Sequence, residues 1–219
     1  MTTIRLTNVS KKIRGITVID DISMTLTSGQ VVGFRGINGS GKTMLMRLIA
    51  GLILPTKGQV TINDQQLGKE ITFPESIGIL IENPAFLASY SGFQNLKMLA
   101  SIRDQIDDEQ INQVIKVVGL SEDSGQKKYK QYSLGMKQRL GIAGAIMERP
   151  DIVILDEPTN SLDTSGVELV KEIIHREKER GALVILASHD ADILDQLADE
   201  IHYLEEGVLV KTTGEAQQA

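Results

Sequence analysis

Runs of apolar residues outline this chain before any motif is considered. Ile4 to Val9 and Ile22 to Thr27 alternate between apolar and polar side chains, and Gly58 to Asn63 forms a third short segment of strand character. A period of two marks strands with one buried face, so these segments predict a small antiparallel sheet. Gln30–Phe34, Ile77–Ile81, Asp151–Leu155 and Ala182–Ala187 are apolar almost without interruption, as expected of strands covered on both faces of a parallel sheet. Spacing of three and four predicts helices over Lys42–Leu52 (Leu45, Leu48, Ile49 and Leu52 on one face), Ser165–Arg180 and Asp190–Ala198. Ile201–Leu204 and Val208–Lys211 predict a closing hairpin through Glu206-Gly207.

From Glu82 to about Gly144 the pattern changes to mostly helical, at Phe93–Ile102, at Glu109–Val118 and again from near Ser133. Gly119–Gly125 and Gln126–Gln131 read as the connections between these helices. The expected fold class is therefore α/β. One domain over residues 1–212 combines a mostly parallel sheet, an antiparallel β part and an inserted α-helical subdomain at about 83–144. Residues 213–219 read as a polar, frayed tail.

Candidate chemistry sits at the ends of the apolar strands. Gly36-Ile37-Asn38-Gly39-Ser40-Gly41-Lys42-Thr43 lies between the strand at Gln30–Phe34 and the helix from Lys42, and fits the phosphate-loop pattern G-x-x-x-x-G-K-[ST]. Gly36, Gly39 and Gly41 remove side chains that would hold the backbone away from a triphosphate. The N–H groups through Asn38, Ser40 and Met44 can then form a nest of donors at a helix N-terminus. Lys42 supplies a point charge for the β- and γ-phosphates, and the Thr43 hydroxyl is a ligand for Mg²⁺.

Val153-Ile154-Leu155-Asp156-Glu157 is an apolar strand ending in two acids. Asp156 is placed to hold Mg²⁺ and Glu157 to polarise an attacking water. His189 follows the next apolar strand, at the carboxyl edge where ligands of open α/β sheets bind, so it is read as reaching the γ-phosphate. His175 and His202 lack such a setting and are read as surface residues.

Composition narrows the partners. The chain has 219 residues, a net charge of −6 and no cysteine. No long basic run is present, which argues against nucleic acid as a partner. Disulfides and thiolate metal sites are excluded. No stretch approaches the roughly 18 apolar residues of a membrane span, and the first residues lack the apolar core of a signal peptide. A cytoplasmic protein is expected, with any membrane part supplied by another chain.

These elements occur together with Tyr132-Ser133-Leu134-Gly135-Met136-Lys137-Gln138-Arg139 and with Ser161-Leu162-Asp163. In that order, from about Ile4 to about Lys211, the chain resembles the ATP-binding subunit of an ABC transporter. The resemblance implies a P-loop NTPase core, an ATPase activity, and ATP with Mg²⁺ as ligands. It implies a second ATPase subunit, with two ATP molecules held head to tail between the pair. Ser133 and Gly135 would then meet the γ-phosphate bound by the partner, and Asp163 would lie in the loop linking the two sites. It also implies a separate transmembrane permease that docks on Asn83 to Leu96, where Phe86 and Tyr90 are the contact candidates and Phe93 reads as core. The protein would then work at the inner face of the cell membrane.

Three positions depart from the family pattern. The usual L-S-G-G-Q is Tyr-Ser-Leu-Gly-Met, with Leu134 and Met136 as the replacements. A glutamine that reaches Mg²⁺ falls on Glu82 within Leu80-Ile81-Glu82-Asn83-Pro84, still a hard oxygen donor but with added negative charge. The aromatic residue that stacks on adenine falls on Ile13, which leaves an apolar wall without stacking. The first two departures resemble the antibiotic- and bacteriocin-export branch, implying an amphipathic peptide, a drug-like molecule or a lipid as cargo. The alternatives are a soluble ATPase of the same type that drives a non-transport assembly, and a regulatory module with little turnover. Glu157 and His189 together argue against the regulatory module.

Overall fold

The structure is a computed structural model, and it describes residues 1–214. Two sheets form its frame. Strands β1 (Thr3–Ile13), β2 (Ile16–Thr27), β4 (Lys57–Ile62) and β5 (Gln65–Gln66) pair antiparallel in the order β2-β1-β4-β5. The two hairpin turns explain themselves. Arg14 and Gly15 have φ of 49° and 85°, and Asn63 and Asp64 have φ of 50° and 64°. Left-handed conformation at both central residues is the twist that two-residue hairpins favour.

The larger sheet holds six strands in the order β10-β9-β3-β8-β7-β6. Its members are β3 (Val31–Arg35), β6 (Ile77–Leu80), β7 (Ile152–Asp156), β8 (Leu183–Ala187), β9 (Glu200–Glu205) and β10 (Val208–Gly214). All neighbours are parallel except β9 and β10, which form the expected hairpin. Every residue of β7 and β8 is buried.

Alternate side chains of these strands feed two cores. On one face Val32, Phe34, Ile154 and Ile185 meet the antiparallel sheet and helix α1 (Lys42–Ile49). On the other, Val153, Leu155, Val184 and Leu186 meet α5 (Leu134–Ile146), α6 (Thr164–Glu179) and α7 (Ala191–Leu197). The helical lobe adds α2 (Gly92–Ala100), α3 (Asp108–Val117) and α4 (Glu122–Gln126). Capping boxes at Ser91 with Gln94, and at Asp107 with Gln110, start α2 and α3.

Five expectations need correction. Helix α1 ends at Ile49, before Leu52, because the chain turns at Gly51 (φ 75°); Leu52 is 49% exposed. The stretch from Gly119 to Gly125 is not a bare connection, since Ser121 caps the short α4 through the Ser124 amide (3.2 Å). The last strand runs on through Thr213 and Gly214, past the start of the expected tail, and residues 215–219 lie outside the described residues. Phe86 is half-buried, packed edge-on against Tyr129 at 5.4 Å, while Leu87 and Tyr90 beside it are exposed.

The fifth correction is His202, which is buried rather than exposed. It pairs with Phe34 across β9 and β3, stacks on that ring at 5.6 Å, and has Nδ1 2.9 Å from Thr212 Oγ1 of β10. With Phe34 of β3 on one side and Thr212 of β10 on the other, the ring is enclosed and 5% exposed. Its Nε2 makes no hydrogen bond, with the Glu200 carboxylate 3.5 Å away.

Burial holds the His202 pKa below its ordinary 6.5, and Glu200 opposes this only in part. The unfolded chain therefore binds this proton more readily than the folded one. Stability should fall as pH drops below about 6.5, by at most about 1.4 kcal/mol per pH unit until the folded group titrates. His202→Phe keeps the stack and removes the titration. Its Tm should decline less steeply than that of the parent between pH 6.5 and 5, and parallel curves would refute the assignment.

Candidate nucleotide site

Three strand ends converge. β8 lies between β3 and β7, so the phosphate loop, Asp156-Glu157 and Ser188-His189 all leave the sheet at one edge. The loop is shaped by close approach. A Cβ on Gly36 would stand 2.4 Å from the Leu204 carbonyl oxygen and 2.5 Å from Ser40 Oγ. The Ser40 amide donates to the Ile37 carbonyl (3.1 Å), and the Gly207 amide donates to the Ser40 carbonyl (2.9 Å), so the β9–β10 turn braces the loop. The Lys42 ammonium, 6% exposed, donates to the Gly36 and Ile37 carbonyls at 2.7 and 3.2 Å. The cation is thus held inside its own loop at the start of α1.

Thr43 Oγ1 donates to Asp156 Oδ2 at 2.6 Å. Asp156 is the last residue of β7 and is buried. This hydroxyl and carboxylate are hard oxygen donors of the kind Mg²⁺ takes, but two such groups do not make a complete cage. Among the described residues no group of three or more His, Cys, Asp and Glu could hold a metal. The donor set fits a Mg²⁺ that arrives with phosphate oxygens of its own.

Glu157 leaves the strand in the left-handed conformation (φ 50°). That conformation costs a non-glycine residue roughly 1–2 kcal/mol. It brings Glu157 Oε2 to 2.8 Å from His189 Nδ1, with Ser188 Oγ at 3.5 Å. An ionised carboxylate only accepts, so Nδ1 carries the proton in this pair.

Glu82, at φ 60°, pairs with Arg47 of α1 at 2.7 Å. The added negative charge of this departure is thereby countered within the chain. The pair is partly exposed and adds little stability, of order 0–1 kcal/mol. Arg47 was not singled out by its sequence setting, and no local pattern links it to Glu82, some thirty-five residues on.

These groups border a cleft of about 970 Å³. Asn38, Gly39, Gly41 and Met44 line it, as do Lys42, Thr43, Glu82, Asp156 and Glu157. Gly36 and His189 instead face a neighbouring cavity of about 740 Å³ on the other side of the loop. From the β1–β2 hairpin, Ile16, Thr17 and Val18 face the cleft. Ile13, 39% exposed, lies across the turn from Ile16, and the 70% exposed Ile16 offers the wider apolar surface.

Ser133, Gly135 and Asp163 do not line the cleft of their own chain. Ser133 Oγ caps α5 by accepting from the Met136 amide at 3.2 Å. Asp163 caps α6, accepting from Ser165 Oγ and from the Gly166 amide, both at 3.0 Å. Those bonds, with Arg139 nearby, hold its carboxyl below the usual carboxylate range.

The family model described as ABC transporter matches residues 19–160. An uncharacterized ABC transporter ATP-binding protein of Bacillus subtilis (strain 168), YybJ, is 48% identical over 196 residues, spanning 90% of this chain and 89% of that one. The bacitracin transport ATP-binding protein BcrA of Enterococcus faecalis is 36% identical over 206 residues, spanning 93% of this chain and 67% of BcrA. Among solved structures, the dimeric MJ0796, a bacterial ABC transporter cassette, superposes with a TM-score of 0.88 at 23% identity, covering 96% of this chain and 98% of that one. At that identity the likeness speaks for the fold.

Proposed function

The chain belongs to the ABC transporter family of ATP-binding ATPases, and on that premise we propose that it powers an exporter of antibiotic-like cargo through a separate transmembrane permease. The contact between Glu157 and His189 at 2.8 Å carries the hydrolytic part of this reading. Glu157 orients and polarises the attacking water, and His189 holds that carboxylate in place. Lys42 supplies positive charge at the β- and γ-phosphates of ATP. The loop from Gly36 to Gly41 presents its amides, Asn38 among them, while Ser40 contributes to binding through the loop shape that its amide closes onto the Ile37 carbonyl. Thr43 and Asp156 would hold Mg²⁺, with Glu82 at the rim, and the ion would neutralise charge on the phosphates. Ile13 and Ile16 supply an apolar wall for the base.

A single ATPase domain over residues 1–212, with its helical lobe at 83–144, would pair with a second ATPase subunit around two nucleotides. Ser133 and Gly135, at the exposed start of α5, would then face the γ-phosphate held by the partner, and Asp163 would join the two sites. No helix among the described residues is long and apolar enough to cross a membrane. A permease would supply that part and hold the ATPase at the inner face of the membrane. The similarity to a bacitracin transport protein supports an amphipathic peptide as cargo.

The test is a trap. Tagged Glu157→Gln protein, with ATP and Mg²⁺, is mixed with detergent-solubilised host membranes and recovered. A polytopic membrane protein is expected in stoichiometric amount, and Tyr90→Ala, at an exposed ring in segment 83–96, should reduce that amount several-fold. Recovery of a soluble partner alone would replace the exporter with an assembly ATPase.

A further inference from the structure

One face of α5 runs along the loop that joins Glu157 to Asp163. Gly135, Gln138 and Arg139 are spaced i, i+3 and i+4, so they share that face. Each meets the loop at a different point. Gly135 lies so close that an added Cβ would stand 2.9 Å from the Ser161 carbonyl oxygen. Gln138 Nε2 donates to the Glu157 carbonyl at 3.0 Å. Arg139 reaches Asp163 Oδ1 at 3.5 Å with Nη2, while its Nη1 donates to the Val118 carbonyl at 3.0 Å. The loop therefore rests on α5 at its start, middle and end.

Gln138 is the member that touches the hydrolytic residue. Its side chain is 7% exposed, and its amide can only be donating, since a carbonyl oxygen only accepts. The peptide of Glu157 is otherwise fixed by two backbone bonds, its amide to the Ala187 carbonyl at 2.9 Å and its carbonyl from the Asn160 amide at 3.2 Å. Those two bonds lie within the sheet and the loop. Gln138 is the side-chain tie from the helical lobe to this peptide, and it fixes the carbonyl direction that accompanies the left-handed turn.

We propose that Gln138 is a positioning residue for ATP hydrolysis: by holding the Glu157 carbonyl it keeps the Glu157 carboxylate aimed at His189 and the water, and it makes that aim depend on where α5 sits. The inference rests on Glu157 being the hydrolytic carboxylate.

The test is steady-state ATP hydrolysis by the full-length protein carrying Gln138→Leu, Gln138→Glu or Glu157→Gln. Gln138→Leu keeps the bulk and removes the donor. Its kcat should fall roughly 10- to 100-fold, the range that a misplaced catalytic group costs. Its KM for ATP should stay within about 2-fold, because the phosphate loop is untouched. Gln138→Glu adds a signature that mere packing would not produce. An ionised glutamate opposes the carbonyl, whereas the protonated acid donates to it, so activity relative to the parent should rise as pH is lowered from about 8 to 5.

A wild-type kcat for Gln138→Leu would overturn the proposal, and so would a pH-independent ratio for Gln138→Glu. If Gln138→Leu fails to fold, the ratio for Gln138→Glu decides alone. The control separates two failures. Full activity in Glu157→Gln would remove the reading of Glu157 and this inference with it. An inactive Glu157→Gln beside a fully active Gln138→Leu would remove only the inference.

Discussion

Replacing Glu157 by glutamine should slow ATP hydrolysis by at least about 10²-fold, the lower end of what a positioned general base contributes. The amide has the size of the carboxylate and can still hydrogen-bond His189, which now stands 2.8 Å away. What it lacks is the negative charge that draws a proton from water. Lys42, Thr43 and Asp156 are untouched, so ATP binding and ATP-dependent pairing of subunits should survive. The check is a turnover assay beside size-exclusion chromatography with ATP and Mg²⁺. An active variant would take Glu157 out of the chemistry, and an inactive variant that stays monomeric would instead place its role in binding.

Lys42→Ala should abolish nucleotide binding at micromolar concentrations. A hydrogen bond to a charged group is worth about 1.5–3 kcal/mol, so losing one phosphate contact weakens Kd by about 10- to 150-fold, and losing two weakens it further. The loop itself also suffers, because the Gly36 and Ile37 carbonyls lose the ammonium that they share. Calorimetric titration with ATP reads the effect directly. An unchanged Kd would show that the backbone amides alone hold the phosphates.

Much of the site was legible because its determinants are local. Gly36 to Thr43 is contiguous, and the apolar strands before Glu157 and His189 announce their own direction and end. The fold class followed for the same reason, since continuous apolar runs and alternating runs differ in how many faces they bury. The misses are residues whose setting is decided by distant chain. His202 sits in a short polar-interrupted strand, and it is buried by neighbours from distant chain, Phe34 of β3 and Thr212 of β10. Leu52 continues the helical spacing of α1, but the turn at Gly51 places it outside. The contacts of Gln138 and Arg139 depend on how α5 lies across a loop twenty residues on, which no periodicity of α5 alone reports. Ile16, which lines the cleft and pairs with Ile13 across the hairpin turn, is likewise a neighbour that a matched motif position does not encode.

The order of strands also governs how the protein can be made. β3, which carries the phosphate loop, has two neighbours in its sheet, β8 and β9, and these are not synthesised until residues 183–187 and 200–205 have been added. Pairing across that separation closes a long loop of chain and belongs to slow-folding, high-contact-order topology. A nascent chain ending near residue 160, where the recognisable family segment stops, holds every glycine of the phosphate loop and both acids at the end of β7, Asp156 and Glu157. It lacks the strand that joins them. The stretch most easily recognised in the sequence therefore lacks part of the sheet that holds the site, and on the ribosome the nucleotide site comes together only after residues 183–205 have been added.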